Sequence, residues 1–111
     1  ALTSVSDMTH VANAPGVAKA NSEMHSVGLG AMNLHGYLAK NKIAYESLEA
    51  KDFARTFFMT VNFHSLEKSM EIAKEKGQRF HGFEASDYAT GVYFDRYLST
   101  DYSPSTPKVQ E

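Results

Sequence analysis

Cysteine is absent from the 111 residues of this sequence. Without a thiol, the chain cannot form a disulfide, offer a thiolate to a metal ion or use a thiol as a nucleophile. Every reaction that depends on a cysteine of this chain is therefore excluded.

Long apolar runs and a strong charge of one sign are also missing. No stretch approaches the roughly 18 uninterrupted apolar residues of a membrane span, and the polar opening ALTSVSDMTH lacks the basic and apolar regions of a signal peptide. The formal net charge of -2 offers no general attraction to nucleic-acid phosphates or anionic membranes. We therefore expect a cytoplasmic protein whose partners include neither nucleic acid nor a membrane.

The helical patterns of the chain predict a mainly α fold, with a helical segment over 1–98 and a polar linker or mobile tail over 99–111. Near the start, Leu2, Val5 and Met8 have the spacing of an amphipathic helix. This pattern fits the last part of such a helix better than its first part. Because Ala1 stands where an initiator Met would be expected, we expect a start that is processed, engineered or cut from a longer chain.

The breakers and glycines of the first third predict a loop and then a helix. Asn13-Ala14-Pro15-Gly16 contains two strong breakers, which predict a loop that runs to about Met24. A helix is predicted from about Gly30 to Lys40, where Leu34 and Leu38 lie on an apolar face. Its glycines at 28, 30 and 36 lack Cβ atoms, so we expect another backbone to approach closely.

The strongest predicted element is a single helix from about Leu48 to Lys76. Ser47 is a suitable N-cap, and Gly77 follows the helix as a C-terminal stop. The central run FFMTVNF is apolar nearly all the way round, which is typical of a helix buried on several sides. We predict that the side chains of Phe57, Phe58, Val61 and Phe63 present more apolar surface than this chain alone can cover. That uncovered surface favours self-association. After Gly77, two short helical turns packed by aromatic side chains are expected.

Gly28-Leu-Gly30-Ala-Met-Asn33 partly matches the dinucleotide fingerprint, whose glycines allow a close approach to a pyrophosphate. The third glycine is replaced by Asn33, and no clear strand precedes the motif. Close helix packing is the favoured interpretation, and a small nucleotide-binding protein is a weaker alternative.

Two further sets of side chains invite a chemical interpretation. His64, Glu67 and Glu71 share one helical face, but a di-metal site of a helical bundle places Glu three residues before His, which is the reverse order. A solvated or interface face is favoured there. Structural or surface roles are likewise favoured for the five histidines and six tyrosines, which are His10, His25, His35, His64, His81, Tyr37, Tyr45, Tyr88, Tyr93, Tyr97 and Tyr102.

Several stretches, taken in order, resemble one continuous part of the large, catalytic subunit of class Ib ribonucleotide reductases. They are SVSDMTHV, HSVGLGAMNLHGYLAKNKIAY, EAKDF, EKGQRFHGFEASDYATGVYFDRYL and PKVQE. The most distinctive are GLGAMNLHGYLA and GFEASDYATGVYFDRYL, at the expected distance from each other. The resemblance covers almost the whole chain.

This resemblance implies a parent with a ten-stranded α/β barrel that reduces ribonucleoside diphosphates for deoxyribonucleotide biosynthesis and DNA replication. Its partner would be a small subunit that carries a dimetal site and a tyrosyl radical. In that family the chemistry belongs to cysteines, through a thiyl radical and a dithiol couple, and these cysteines lie outside the matched part.

The resemblance therefore assigns no catalytic, cofactor-binding or metal-binding residue to this chain. It implies a scaffold fragment that is inactive alone, binds the remainder of the large subunit, and has both ends inside the parent's continuous domain. A stand-alone helical interaction module without catalysis is the alternative.

Overall fold

The computed structural model describes residues 1–100 and 102–110, and within these residues the chain is helical with no strand. Its α-helices are α1 (Leu2–Met8), α2 (Pro15–Met24), α3 (Leu34–Lys40), α4 (Leu48–Lys76), α5 (Asp87–Thr90), α6 (Val92–Leu98) and α7 (Pro107–Gln110), with a 3₁₀ helix at Phe83–Ala85. The mainly α prediction is confirmed for this segment. None of the described helices is long and apolar enough to cross a lipid bilayer.

The chain forms two compact units. One contains residues 1–30 and 78–96, and the other contains residues 31–77 and 97–111, of which 101 and 111 lie outside the described residues. The predicted division into 1–98 and 99–111 is a different one, and it stays a prediction.

The loop predicted to run to about Met24 is wrong, because α2 occupies Pro15–Met24. Pro15 is at the start of this helix, where a proline loses no helical hydrogen bond and already has a helical φ. In the same unit, the Asn21 side chain donates to the Ser6 carbonyl at 2.8 Å and accepts from the Ser6 hydroxyl at 2.7 Å. These two bonds hold α1 against α2.

The predicted long helix is confirmed with its bounds, as α4 covers Leu48–Lys76. The Ser47 hydroxyl accepts a hydrogen bond from the Ala50 amide at 3.1 Å, and Gly77 ends the helix with φ 64°. Because a left-handed residue at this position favours glycine, both ends follow directly from local sequence. The small core of this unit contains Leu38, Ile43 and Ala50.

Helix α3 begins at Leu34, four residues later than predicted, because Asn33 is left-handed with φ 65°. The close approach predicted at the glycines is wrong for Gly28 and Gly30, where a Cβ would meet no described atom within 4 Å. At Gly36 a Cβ would lie 2.1 Å from the Asn33 Oδ1. The space left by the missing Cβ of Gly36 is therefore occupied by the Asn33 side chain and not by another stretch of backbone.

The predicted aromatic packing after Gly77 is confirmed. The rings of Tyr88 and Tyr93 have centroids 4.7 Å apart, and Phe80 lies 5.5 Å from Phe83. Ser86 caps α5 through the Ala89 amide, and Gly91, with φ 83°, separates α5 from α6.

Candidate functional site on the long helix

The centre of α4 presents large apolar side chains that the chain leaves exposed. Phe57, Phe58 and Phe63 are 37%, 46% and 63% exposed, and Val61 is half-buried. The prediction that this chain does not cover these side chains is confirmed. We call Phe57, Phe58, Val61 and Phe63 the apolar face of α4, a term that covers side chains spread around much of the helix circumference. Exposed apolar patches of this kind mark surfaces that bind other polypeptide.

The beginning of α4 is packed more closely than its centre. Tyr37 of α3 stacks on Phe53, with ring centroids 4.7 Å apart, and Phe53 stacks on Phe57 at 6.0 Å. Offset aromatic pairs add a modest stabilisation to the area that they bury. This row of rings connects the small core to the apolar face of α4.

Asp52 is the buried carboxylate of α4, with 5% of its surface exposed. The Ser105 amide and the Thr106 amide each donate to its Oδ2 at 3.0 Å, and the Thr106 hydroxyl donates to the same oxygen at 2.6 Å. The Tyr102 hydroxyl donates to Oδ1. A buried charge is tolerated when donors replace its water shell, and here the donors come from one segment.

These donors also determine the acidity of Asp52. The hydrogen bond from the Thr106 hydroxyl is the largest of the effects that lower its pKa to about 2, followed by those from the Tyr102 hydroxyl and the Thr106 amide. Desolvation opposes them. A carboxylate that is ionised at neutral pH and whose oxygens accept several bonds is a poor general base. Asp52 therefore has the contacts of a structural anchor for this segment.

The ring of Tyr102 provides a further contact between the segment 102–110 and α4. The guanidinium carbon of Arg55 lies 4.6 Å from the ring centroid, which is within the range of a cation–π interaction. Nearby, the Asn62 side chain donates to the Tyr97 hydroxyl at 2.9 Å. Both tyrosines thus have the structural roles that were favoured for them.

The predicted polar face of α4 is exposed. The His64 Nδ1 lies 3.0 Å from the Glu67 Oε2, while Glu71 pairs with Lys68 at 2.7 Å. The hydrogen bond between Lys68 and Glu71 raises the pKa of Lys68 and lowers that of Glu71. Within the described residues no three His, Cys, Asp or Glu side chains are grouped as metal ligands would be. Exposed ion pairs of this type contribute little to stability.

The partial dinucleotide fingerprint lies in the irregular stretch before α3. No strand precedes it within the described residues, so the turn between strand and helix that this motif requires does not form. Asn33 is the residue before the helix, and its side chain packs beside Gly36 instead of leaving an open phosphate cradle.

Three of the other histidines have contacts of their own. His35 packs edge-on against Tyr45, with ring centroids 5.4 Å apart. His25 is left-handed with φ 48°, and its Nδ1 lies 3.5 Å from the Asp7 Oδ1. The His81 amide donates to the Glu23 carbonyl at 2.9 Å. Each contact is local to one compact unit.

Sequence reasoning missed the contacts of Asp52 with the segment 102–110. A signal was present, because Thr106 followed by Pro107 is a typical helix start and α7 begins there. Nothing in the sequence, however, connects that start with a residue more than 50 positions away. On sequence alone, Asp52 is an acidic residue near the start of a helix, where a negative charge favours the positive end of the helix dipole.

Comparison with known proteins identifies the family. The family described as "Ribonucleotide reductase, barrel domain" matches residues 1–111. The ribonucleoside-diphosphate reductase subunit alpha of Bacillus subtilis (strain 168) is 64% identical over 108 residues, which make up 97% of this chain and 15% of that protein. Its NrdEB subunit alpha is 57% identical over 110 residues, or 99% of this chain and 10% of that protein.

A relative with lower identity gives the same result. The subunit alpha of Mycoplasma pneumoniae (strain ATCC 29342 / M129 / Subtype 1) is 48% identical over 106 residues, which cover 96% of this chain and 15% of that protein. The chain thus spans between 10% and 15% of the length of these three relatives. The match over residues 1–111 and these identities show that the chain belongs to the ribonucleotide reductase barrel-domain family.

Proposed function

We propose that this chain is a scaffold segment of the large subunit of a class Ib ribonucleoside-diphosphate reductase. The observation that carries the proposal is the family match over residues 1–111, with relatives that are named as the alpha subunits of this enzyme. The whole protein would reduce ribonucleoside diphosphates to deoxyribonucleotides in the cytoplasm. The helices of this segment would surround a ten-stranded barrel built by other parts of the subunit.

The residues of the segment support a role in packing and not in the reaction. The proposed reaction requires a thiyl radical and a dithiol couple, and neither can form on a chain without cysteine. Asp52, its buried carboxylate, accepts hydrogen bonds from Thr106 and has a pKa of about 2. It is therefore unsuited to proton transfer at neutral pH.

The partners follow from the same assignment. The apolar face of α4 would bind the remainder of the large subunit, because Phe58 and Phe63 need neighbours that this chain does not supply. The radical-bearing small subunit would be the partner of the whole enzyme. The family match does not favour a stand-alone interaction module, and the irregular stretch before α3 does not favour a nucleotide-binding protein.

A chimaera tests this proposal. In the Bacillus subtilis subunit alpha, the stretch matched over 108 residues is replaced by this chain, and ribonucleoside-diphosphate reduction is measured with the cognate small subunit. We expect the chimaera to be active, because 64% of the residues over the exchanged stretch are identical. The 111-residue chain alone should give no turnover with the same small subunit and reductant.

Variants of the chimaera separate packing from chemistry. The double change Phe58→Asp and Phe63→Asp should abolish activity through misfolding, whereas Glu67→Gln, at an exposed position of the same helix, should leave it unchanged. An inactive chimaera that is nevertheless folded and binds the small subunit would contradict the proposal. Turnover by the isolated chain would contradict it as well.

A further inference from the structure

The segment 102–110 lies against α4, and its polar contacts converge on one carboxylate. Tyr102, Ser105 and Thr106 all donate to Asp52 across sequence separations of 50 to 54 residues. We infer that residues 102–110 form a strap that is fastened to α4 through Asp52, and that Asp52 is the positioning residue of this strap. The strap is a property of the chain itself, whichever activity the longer protein has.

The arrangement of donors favours an anion at position 52. The two successive amides of Ser105 and Thr106 and the hydroxyl of Thr106 all point to the Oδ2 of Asp52, while Tyr102 donates to Oδ1. Both carboxylate oxygens accept, so each donor is satisfied. An asparagine could place its oxygen at the position of Oδ2, but its NH₂ group would then face the Tyr102 hydroxyl, which would have to turn and accept. The three bonds to Oδ2 would also lose the charge of their acceptor.

The strap has internal hydrogen bonds that make it one unit. The Gln110 side chain donates to the Pro104 carbonyl at 2.8 Å, and the Val109 amide donates to the Thr106 carbonyl at 3.0 Å. These bonds do not involve α4. When the attachment at Asp52 is lost, the segment can therefore leave the helix as a whole instead of unravelling residue by residue.

The residues that cap the two ends of α4 lie outside the strap. Ser47 caps α4 on one side of Asp52 and Gly77 ends it on the other, and both features are local. Apolar and cation–π contacts add to the attachment, since Pro104 and Val109 are half-buried and the ring of Tyr102 covers Arg55. These contacts are less directional than the four bonds to the Asp52 carboxylate, so they do not position the strap by themselves.

Hydrogen–deuterium exchange of the full 111-residue chain tests this positioning role. We expect the amides of Ser105 and Thr106 to be protected in the native chain. In Asp52→Asn, exchange across residues 102–110 should become about tenfold faster or more, while the amides of residues 60–76 of α4 keep their rates. In Asp52→Glu, which retains the charge, exchange should be closer to the native rate than in Asp52→Asn.

Changes on the strap side keep the test valid where Asp52→Asn does not fold. Thr106→Val and Tyr102→Phe each remove one hydroxyl donor, and each should accelerate exchange of residues 102–110 without affecting residues 60–76. The matched control is Asp95→Asn, at an exposed carboxylate of α6, which should leave the strap unchanged. Unchanged exchange of the strap in the strap-side variants would overturn the inference. Equal acceleration of the strap and of α4 in those variants would overturn it too.

Discussion

At the scale of single residues, the ionisation of Asp52 is the feature with the clearest consequence. Its pKa in the folded chain is about 2, below the ordinary value of 3.8, because the Thr106 and Tyr102 hydroxyls donate to the charged form. A carboxylate whose pKa falls on folding stabilises the folded state above its ordinary pKa. That contribution decreases as the pH falls below 3.8, and it is lost as the pH passes through about 2.

We therefore predict that the Asp52 carboxyl titrates near pH 2 while the strap is attached. Carbon-13 chemical shifts of the carboxyl group, followed between pH 6 and pH 1.5, measure the midpoint. In Thr106→Val the midpoint should move up toward 3.8, because the largest favourable effect is removed. A native midpoint at 3.8 would show that the donors are not engaged in solution.

Some residues of α4 have roles that can be inferred from the sequence alone, and others do not. Ser47 and Gly77 act on neighbours within four positions, so their roles follow from local chemistry alone. Asp52 acts on residues about 50 positions away, and an aspartate in the first two turns of a helix already has an ordinary explanation as a helix-dipole partner. Tertiary contacts of this kind are visible only in the structure.

At the scale of elements, α4 shows why some helices can be predicted and others cannot. Its two caps and its long apolar pattern all favour one helix, and the observed bounds are those predicted. Helix α2 was missed because Pro15-Gly16 indicates a break, although a proline also suits the first turn of a helix. Its packing on α1 through Ser6 and Asn21 resolves that ambiguity.

The caps of α4 lead to a prediction of stability. Ser47→Ala removes the hydroxyl that accepts from the Ala50 amide and should lower the free energy of unfolding by about 1 kcal/mol. Gly77→Ala places a Cβ on a left-handed residue and should cost about 1 kcal/mol. Urea denaturation followed by circular dichroism measures both. Gly28→Ala is the control, since its added Cβ meets open space; a loss at this site equal to that at Gly77 would contradict the argument from φ.

At the scale of the whole molecule, the chain has more large apolar side chains than its small core covers. Its buried hydrophobic residues are Leu38, Ile43 and Ala50 within the described part, whereas Phe58 and Phe63 remain 46% and 63% exposed. Each large apolar side chain left in water forgoes roughly 1.5 to 3 kcal/mol. A typical domain has a total stability of only about 5 to 15 kcal/mol. Part of this apolar surface is therefore left for neighbours to cover, which fits the proposed place of the chain within a larger subunit.

The uncovered apolar surface predicts that the isolated chain associates through the apolar face of α4. Equilibrium sedimentation of the 111-residue chain should show self-association that strengthens with concentration, because pairing removes Phe58 and Phe63 from water. Phe58→Asp and Phe63→Asp should each weaken that association by about tenfold or more, since a charge would have to be buried at the contact. Met32→Asp is the matched control, because Met32 is 96% exposed and lies outside α4. A native chain that sediments as a stable monomer at all concentrations would instead favour an independent domain, and it would weaken the case for a scaffold segment.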